Sequence, residues 1–296
     1  MSRGQAPNID GLEPQYSCKV GSNLFSTIKS SANPEWQRHL DEAEELFQTL
    51  DDISGVPSND QGFHESFDHY YDNLSARQCH DKPFPCKLVD GVNSTTCVTQ
   101  EMADAVYRLG HWEYSQIYRD HSSSFPASYT SWGVWVAELA AHLRDVIDGK
   151  GEVIYFHNVA HDGSLSRLLS ILQLDEMVWP GMGAEVVFEL YKKKGHRNPH
   201  QARGPSAATN PDFEAESDAV KRSAMPEGSS SESSTSRYYI RVLFGGQVFK
   251  SSSPILGEID MIPAETLIKY LEDLVGTNAS LVKGKCDGSV SINSSG

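Results

Sequence analysis

The stretch Tyr155-Phe156-His157-Asn158-Val159-Ala160-His161-Asp162-Gly163-Ser164 joins two patterns of different period. Val153 to Phe156 is an apolar run of the β type, and Glu152–Ala160 is accordingly a strand candidate. Leu165 to Leu172, which follows at once, is helix-like. The expectation is a strand that delivers a His-Asp pair to its end, directly ahead of a helix N-terminus. Open α/β folds place their ligands at such ends. Free first-turn amides favour an anion there, and phosphate is the common choice.

Downstream, Glu185–Tyr191 and Arg237–Phe244 are further strand candidates, rich in Val, Ile, Tyr and Phe. Gly245-Gly246 turns the last of them into a short return, Gln247–Lys250. Pro263 opens a closing helix with Leu267, Ile268, Leu271, Leu274 and Val275 as its inner face. Upstream the period is helical. Asn33 can cap, Pro34 suits the first helical position, and Trp36, Leu40, Ala43, Phe47 and Leu50 recur at three- and four-residue steps. Phe63, Phe67, Tyr70, Tyr71 and Leu74 draw a second stripe, and Met102, Val106 and Leu109 begin a third. Trp132, Val136, Leu139, Leu143 and Val146 form a fourth, closed by Gly149. The chain thus divides into an irregular lead-in (1–20), an α-helical part (21–150) and an α/β part (151–194 and 237–296). Residues 195–236 are Lys, His, Asn, Pro, Gly, Ser and Glu-rich and read as a disordered insertion, since they cannot bury enough apolar surface to offset their ordering entropy.

Bulk composition narrows the function. The 296 residues carry a formal charge of −15, from 25 basic and 40 acidic side chains. Nucleic acid and anionic membrane surfaces are poor partners for such a surface, and no apolar run is long enough to span a bilayer. A small phosphate ester held by local donors remains compatible. Four glycosylation sequons begin at Asn73, Asn93, Asn278 and Asn293. The spacings of Cys18, Cys79, Cys86, Cys97 and Cys286 fit no zinc pattern, so disulfides are the better reading. Their odd number leaves one thiol over or points to a partner outside this chain. The N-terminus, Met-Ser-Arg-Gly-Gln-Ala-Pro, is no signal peptide.

A histidine at a strand's end beside helix amides can donate to a phosphoryl oxygen. A neighbouring carboxylic acid can protonate a leaving alkoxide when burial or nearby negative charge lifts its pKa. On spacing alone, Asp162 could instead simply cap the following helix, with His161 satisfied locally. His157 and His161 are four apart on the expected strand and have no third ligand in view, so neither metal nor cofactor is expected. Gly-x-Ser-x-Gly and Gly-x-x-x-x-Gly-Lys are both absent from the sequence.

The segment Asn158 to Ser164, followed by Leu168-Leu169-Ser170-Ile171-Leu172, resembles the C-terminal His-Asp motif of the histidine acid phosphatases, which include fungal acid phosphatases and phytases. Trp179 to Leu190 resembles that family's small-residue turn entering a strand, and Tyr239 to Gln247 its Arg-Val hairpin. Phe67 to Leu74 and Cys79 to Cys97 resemble the helical cap of the fungal members. The resemblance covers residues 8–194 and 237–275. It implies an α/β, three-layer, phosphoglycerate mutase-like domain, represented by its C-terminal half, with an α-helical cap. It further implies a secreted enzyme that hydrolyses small phosphate monoesters through a phosphohistidine intermediate, without a cofactor. His161 would contact the phosphate and Asp162 would be the general acid. The family's nucleophile lies in an Arg-His-Gly-x-Arg motif, and this sequence has no Arg-His-Gly. Arg38-His39-Leu40 falls inside the first helical stripe and reads as a solvated helix face; Gly195-His196-Arg197 falls in the insertion. The expectation is therefore an N-terminally truncated family member without turnover. The alternative is a non-catalytic secreted glycoprotein that binds a phosphorylated ligand or partner. His64, His69, His80, His111 and His142 have no evident partners in the sequence and read as ordinary.

Overall fold

Cys18 and Cys286 stand near opposite ends of the sequence and form a disulfide, so the first and last helices lie side by side. The protein is described by a computed structural model that covers residues 16–151, 153–194 and 237–292. The insertion expected at 195–236 and most of the lead-in lie outside these residues; Lys19 and Val20, placed in the lead-in by sequence, already belong to a helix. Among the described residues the fold is mixed α and β, with about ten helices and small antiparallel sheets.

The helical stripes form helices where the caps permit. α1 spans Lys19–Ile28. The first predicted stripe splits into α2, Pro34–Glu42, and α3, Glu44–Ser54, because Ala43 leaves helical geometry between them. Asn33 caps α2 as expected, its side chain accepting from the Glu35 and Trp36 amides at 3.1 and 3.5 Å. The second stripe is divided between α4, Gln61–His64, and α5, Asp68–Cys79. A hairpin of β1, Cys86–Val89, and β2, Val92–Cys97, follows, closed by a Cys86–Cys97 disulfide that leaves Cys79 free and exposed. α6, Gln100–Ser115, is capped by Thr99 and runs into a π-helical turn over Gln116–Asp120.

α7, Ser124–Ile147, is the spine, buried on nearly every side as an all-round apolar helix must be. It packs against α1, against α8 (Asp162–Ile171), against α9 (Ala264–Val275) and against α10 (Val282–Asp287). Gly133 permits the approach: a Cβ there would meet Val282 at 2.8 Å and Val275 at 2.9 Å. The second sheet holds β3 (Val186–Lys192), β4 (Tyr238–Phe244), β5 (Gln247–Val248) and β6 (Ile262–Pro263). β4 is central, pairing with β3 from Val186↔Phe244 to Lys192↔Tyr238. On its inner face Ile240 and Val242 meet the fully buried Leu267, Ile268 and Leu271 of α9. Gly245 and Gly246 take the positive φ angles that the β4–β5 turn requires.

Two expectations fail in informative ways. Residues 153–160 form no strand; Ile154 is fully exposed and Tyr155 and Val159 are about three-quarters exposed. A strand exists through its neighbours' N–H and C=O groups, and among the described residues this segment has none. Phe156 stacks on His142 of α7 at 4.1 Å, and Tyr155 has a ring contact only within the segment, with His157. Arg38-His39 is not a solvated face either. Arg38 points to solvent, but His39 is buried, stacks on Trp112, and bonds Glu113 at 2.8 Å through Nε2. Glu113 also accepts the Phe67 amide, and burial holds its carboxyl above the usual range against the lowering effect of His39. His64 likewise has a partner, the buried Asp51, which also accepts from Tyr70 Oη at 2.5 Å.

Candidate functional site

The His161-Asp162 pair opens α8. His161 is the N-cap residue, in extended geometry (φ −76°, ψ 161°). Its carbonyl accepts the amides of Ser164 and Leu165 at 3.1 and 3.0 Å, which starts the helix. Its side chain is exposed, makes no capping bond, and has no hydrogen-bond partner among the described residues. Asp162 occupies the first helical position, where a carboxylate is favoured by the free amides of the first turn.

The Asp162 carboxylate is held on both oxygens. Oδ1 accepts the Gly163 amide at 2.7 Å. Oδ2 accepts two side-chain donors, Tyr114 Oη at 2.9 Å and Trp179 Nε1 at 2.7 Å. Tyr114 comes from α6 and Trp179 from the loop after α8, so the carboxylate ties three parts of the chain together. Asp162 is thus not the cap of α8, a position His161 holds.

Both donors belong to an aromatic stack. Trp179 lies parallel to Tyr71 on one side and to Tyr114 on the other, with centroids 3.9 Å apart in each case. The stack fixes the ring planes, so the two donors reach Asp162 at little further entropic cost. Gly110 makes room for it, since a Cβ there would press on Tyr71 and Trp179. Burial, and then the charges of Tyr118 and Asp162, push the Tyr114 phenol far above its ordinary value. It therefore stays a neutral donor. Burial pushes Tyr71 up to about 12. Behind the stack, His111 Nδ1 accepts the Trp179 amide at 3.1 Å, and burial lowers the imidazole below its ordinary value. Accepting that N–H requires the unprotonated nitrogen.

His161 and Asp162 thus stand at a helix start as read from the sequence, but without the expected strand before them. Tyr71, His111, Tyr114 and Trp179 were not singled out as functional. Tyr71 and Trp179 lie 108 positions apart in sequence yet stack directly; only an apolar stripe and a Trp-Pro turn marked them. His157 and His161 belong to no metal-binding cluster among the described residues.

No known protein-family model matches the chain. Counting factor 60 of Dictyostelium discoideum is 25% identical over 163 residues, which are 55% of this chain and 34% of that protein. 2-Phosphoxylose phosphatase 1 of Xenopus tropicalis is 27% identical over 135 residues, 45% of this chain and 25% of that protein. The chain therefore spans about a third or less of these curated relatives, and it is similar, at low identity, to a phosphatase.

Proposed function

We propose that this chain is a histidine acid phosphatase-like protein, with the phosphoglycerate mutase-like layering of that family, that binds phosphate monoesters at the edge formed by His161 and Asp162. His161, exposed at the start of α8, contacts the phosphate; Asp162 occupies the general-acid position. The observation that carries this reading is the Asp162 carboxylate, held by Tyr114 and Trp179 at a helix N-terminus in a chain distantly similar to a phosphatase. The 296-residue sequence has no Arg-His-Gly, and loss of a nucleophile removes several orders of magnitude of rate. The chain by itself therefore binds esters without turning them over.

The non-catalytic alternative has an observation of its own. Each oxygen of Asp162 already accepts a hydrogen bond, an arrangement suited to fixing a loop. A secretory setting fits both readings: two disulfides are typical of extracellular proteins, and Asn73, Asn93 and Asn278 of the sequons are exposed. Among the described residues no helix is long and apolar enough to cross a membrane.

The test is hydrolysis of an aryl phosphate at acid pH by the purified chain. The expected result is no turnover, with binding of the ester weakened by His161→Ala. Turnover abolished by Asp162→Asn would overturn the inactive reading. Absence of any binding would overturn the phosphate site itself.

A further inference from the structure

A cavity of about 330 Å³ lies between α1, the start of α5, α6 with its π turn, and α8. Lys29, Asp68, Glu113, Tyr114, Arg167 and Trp179 contribute to its wall. The two acids are engaged. Glu113 is bonded to His39 and to the Phe67 amide, and Asp68 Oδ1 accepts the His69 amide at 2.7 Å. The cations are held more loosely. Lys29 has only a 3.8 Å contact with the exposed Glu65. Arg167 has neither a carboxylate nor a hydrogen-bond acceptor among the described residues, although its Nε is buried. Buried polar nitrogens are nearly always satisfied, so one that is not calls for an explanation.

The arginine is nonetheless held in position. Its guanidinium carbon lies 5.3 Å from the centre of the Phe25 ring. The side chain runs back along α8 toward its N-terminus, as helical side chains do. Nη1 comes within 3.6 Å, and Tyr118 Oη within 3.4 Å, of the point where a Cβ of Gly163 would stand. Gly163 directly follows Asp162, so the guanidinium, with its unsatisfied Nε, lies beside the His161-Asp162 edge. We infer that this cavity is an anion subsite, in which Arg167, with Lys29 as the second cation, binds an oxyanion of the phosphate type carried by a small molecule. A guanidinium fork matches two oxygens of such a group at once. The rings of Tyr114 and Trp179 offer an apolar wall to the organic portion, and the volume suits a small ligand. The choice of phosphate rests on the proposed function; the cavity and its two cations do not.

The test is calorimetric titration of the full chain with inorganic phosphate and with phenyl phosphate, at low salt. Arg167→Gln is expected to weaken binding of both about tenfold or more, and Arg167→Lys by less, since it keeps the charge without the fork. Lys29→Gln is expected to weaken binding by a few-fold and carries the test if Arg167→Gln lowers thermal stability. His161→Ala is the separating control. If it abolishes binding while Arg167→Gln and Lys29→Gln do not, the anion sits at the His-Asp edge and the subsite is refuted, with the phosphatase reading intact. If binding falls in Arg167→Gln and survives in His161→Ala, the subsite stands whatever becomes of that reading. No binding of either probe by the wild-type chain refutes it outright.

Discussion

Val153-Ile154-Tyr155-Phe156 and Val186-Val187-Phe188 are built from much the same side chains. The second forms one end of a seven-residue ladder with β4; the first hangs exposed, in contact with the rest through the Phe156–His142 stack. β4 has neighbours on both edges and α9 across its inner face, so its backbone groups are paired and its apolar groups buried together. Residues 153–160 lack both. The difference teaches that apolar β-branched composition supplies a strand's side chains but not its existence, which depends on what lies alongside.

The largest effect expected from this contrast comes from placing a charge in each region. Val242→Asp puts an unpaired carboxylate in a fully buried position of β4 and should cost more than about 4 kcal/mol. Ile154→Asp, at a fully exposed position, should stay within about 0.5 kcal/mol. Chemical denaturation of both variants measures this, and equal destabilisation would break the contrast. Amide hydrogen exchange sharpens it, with β4 protected and 153–160 exchanging freely.

Next in size is the anchor immediately after the exposed segment. Trp179→Phe keeps the stack but removes the Nε1 donor to Asp162, and should cost about 2 kcal/mol. If its unfolding midpoint equals that of the wild type, Asp162 is not what fastens this loop. Phe156→Ala removes the ring stacked on His142 and should cost about 1 kcal/mol at most, the ring being half-exposed.

The smallest effect is a pH dependence. Burial lowers His111 below its ordinary 6.5 in the folded state, so the unfolded chain binds the proton more readily. The stability it contributes is complete above the unfolded value and is lost as pH falls through 6.5 toward the lower folded value. Below that, Nδ1 can no longer accept the Trp179 amide. Unfolding followed by tryptophan fluorescence should show a midpoint that declines on acidification in the wild type and declines less in His111→Leu. Identical slopes would remove His111 from the account.

Much of the helical architecture was legible because its determinants are local. Asn33 with Pro34, the stripe closing at Gly149, Gly245-Gly246 and Pro263 each act within a turn or two of where they stand. The strand expected over Glu152–Ala160 is absent from residues 153–160 because an apolar run carries no information about whether a partner strand is beside it. His39 was misread for a related reason: its partner, Glu113, lies 74 residues away. At the candidate site the His-Asp pair itself could be read from the chain. The cage around Asp162 could not, since Tyr114 is 48 residues from it and Trp179 is 17. The cysteine pairing was also open on paper; the antiparallel register that sets Cys86 opposite Cys97 decides it for one pair.

The Cys18–Cys286 bond joins residues 268 positions apart and closes the chain between them into one covalent loop. A single backbone cut anywhere inside it opens the loop without releasing a fragment, because the two pieces remain joined through sulfur. Nicked and intact chains therefore run as one mass on a gel until a thiol is added, and only then separate.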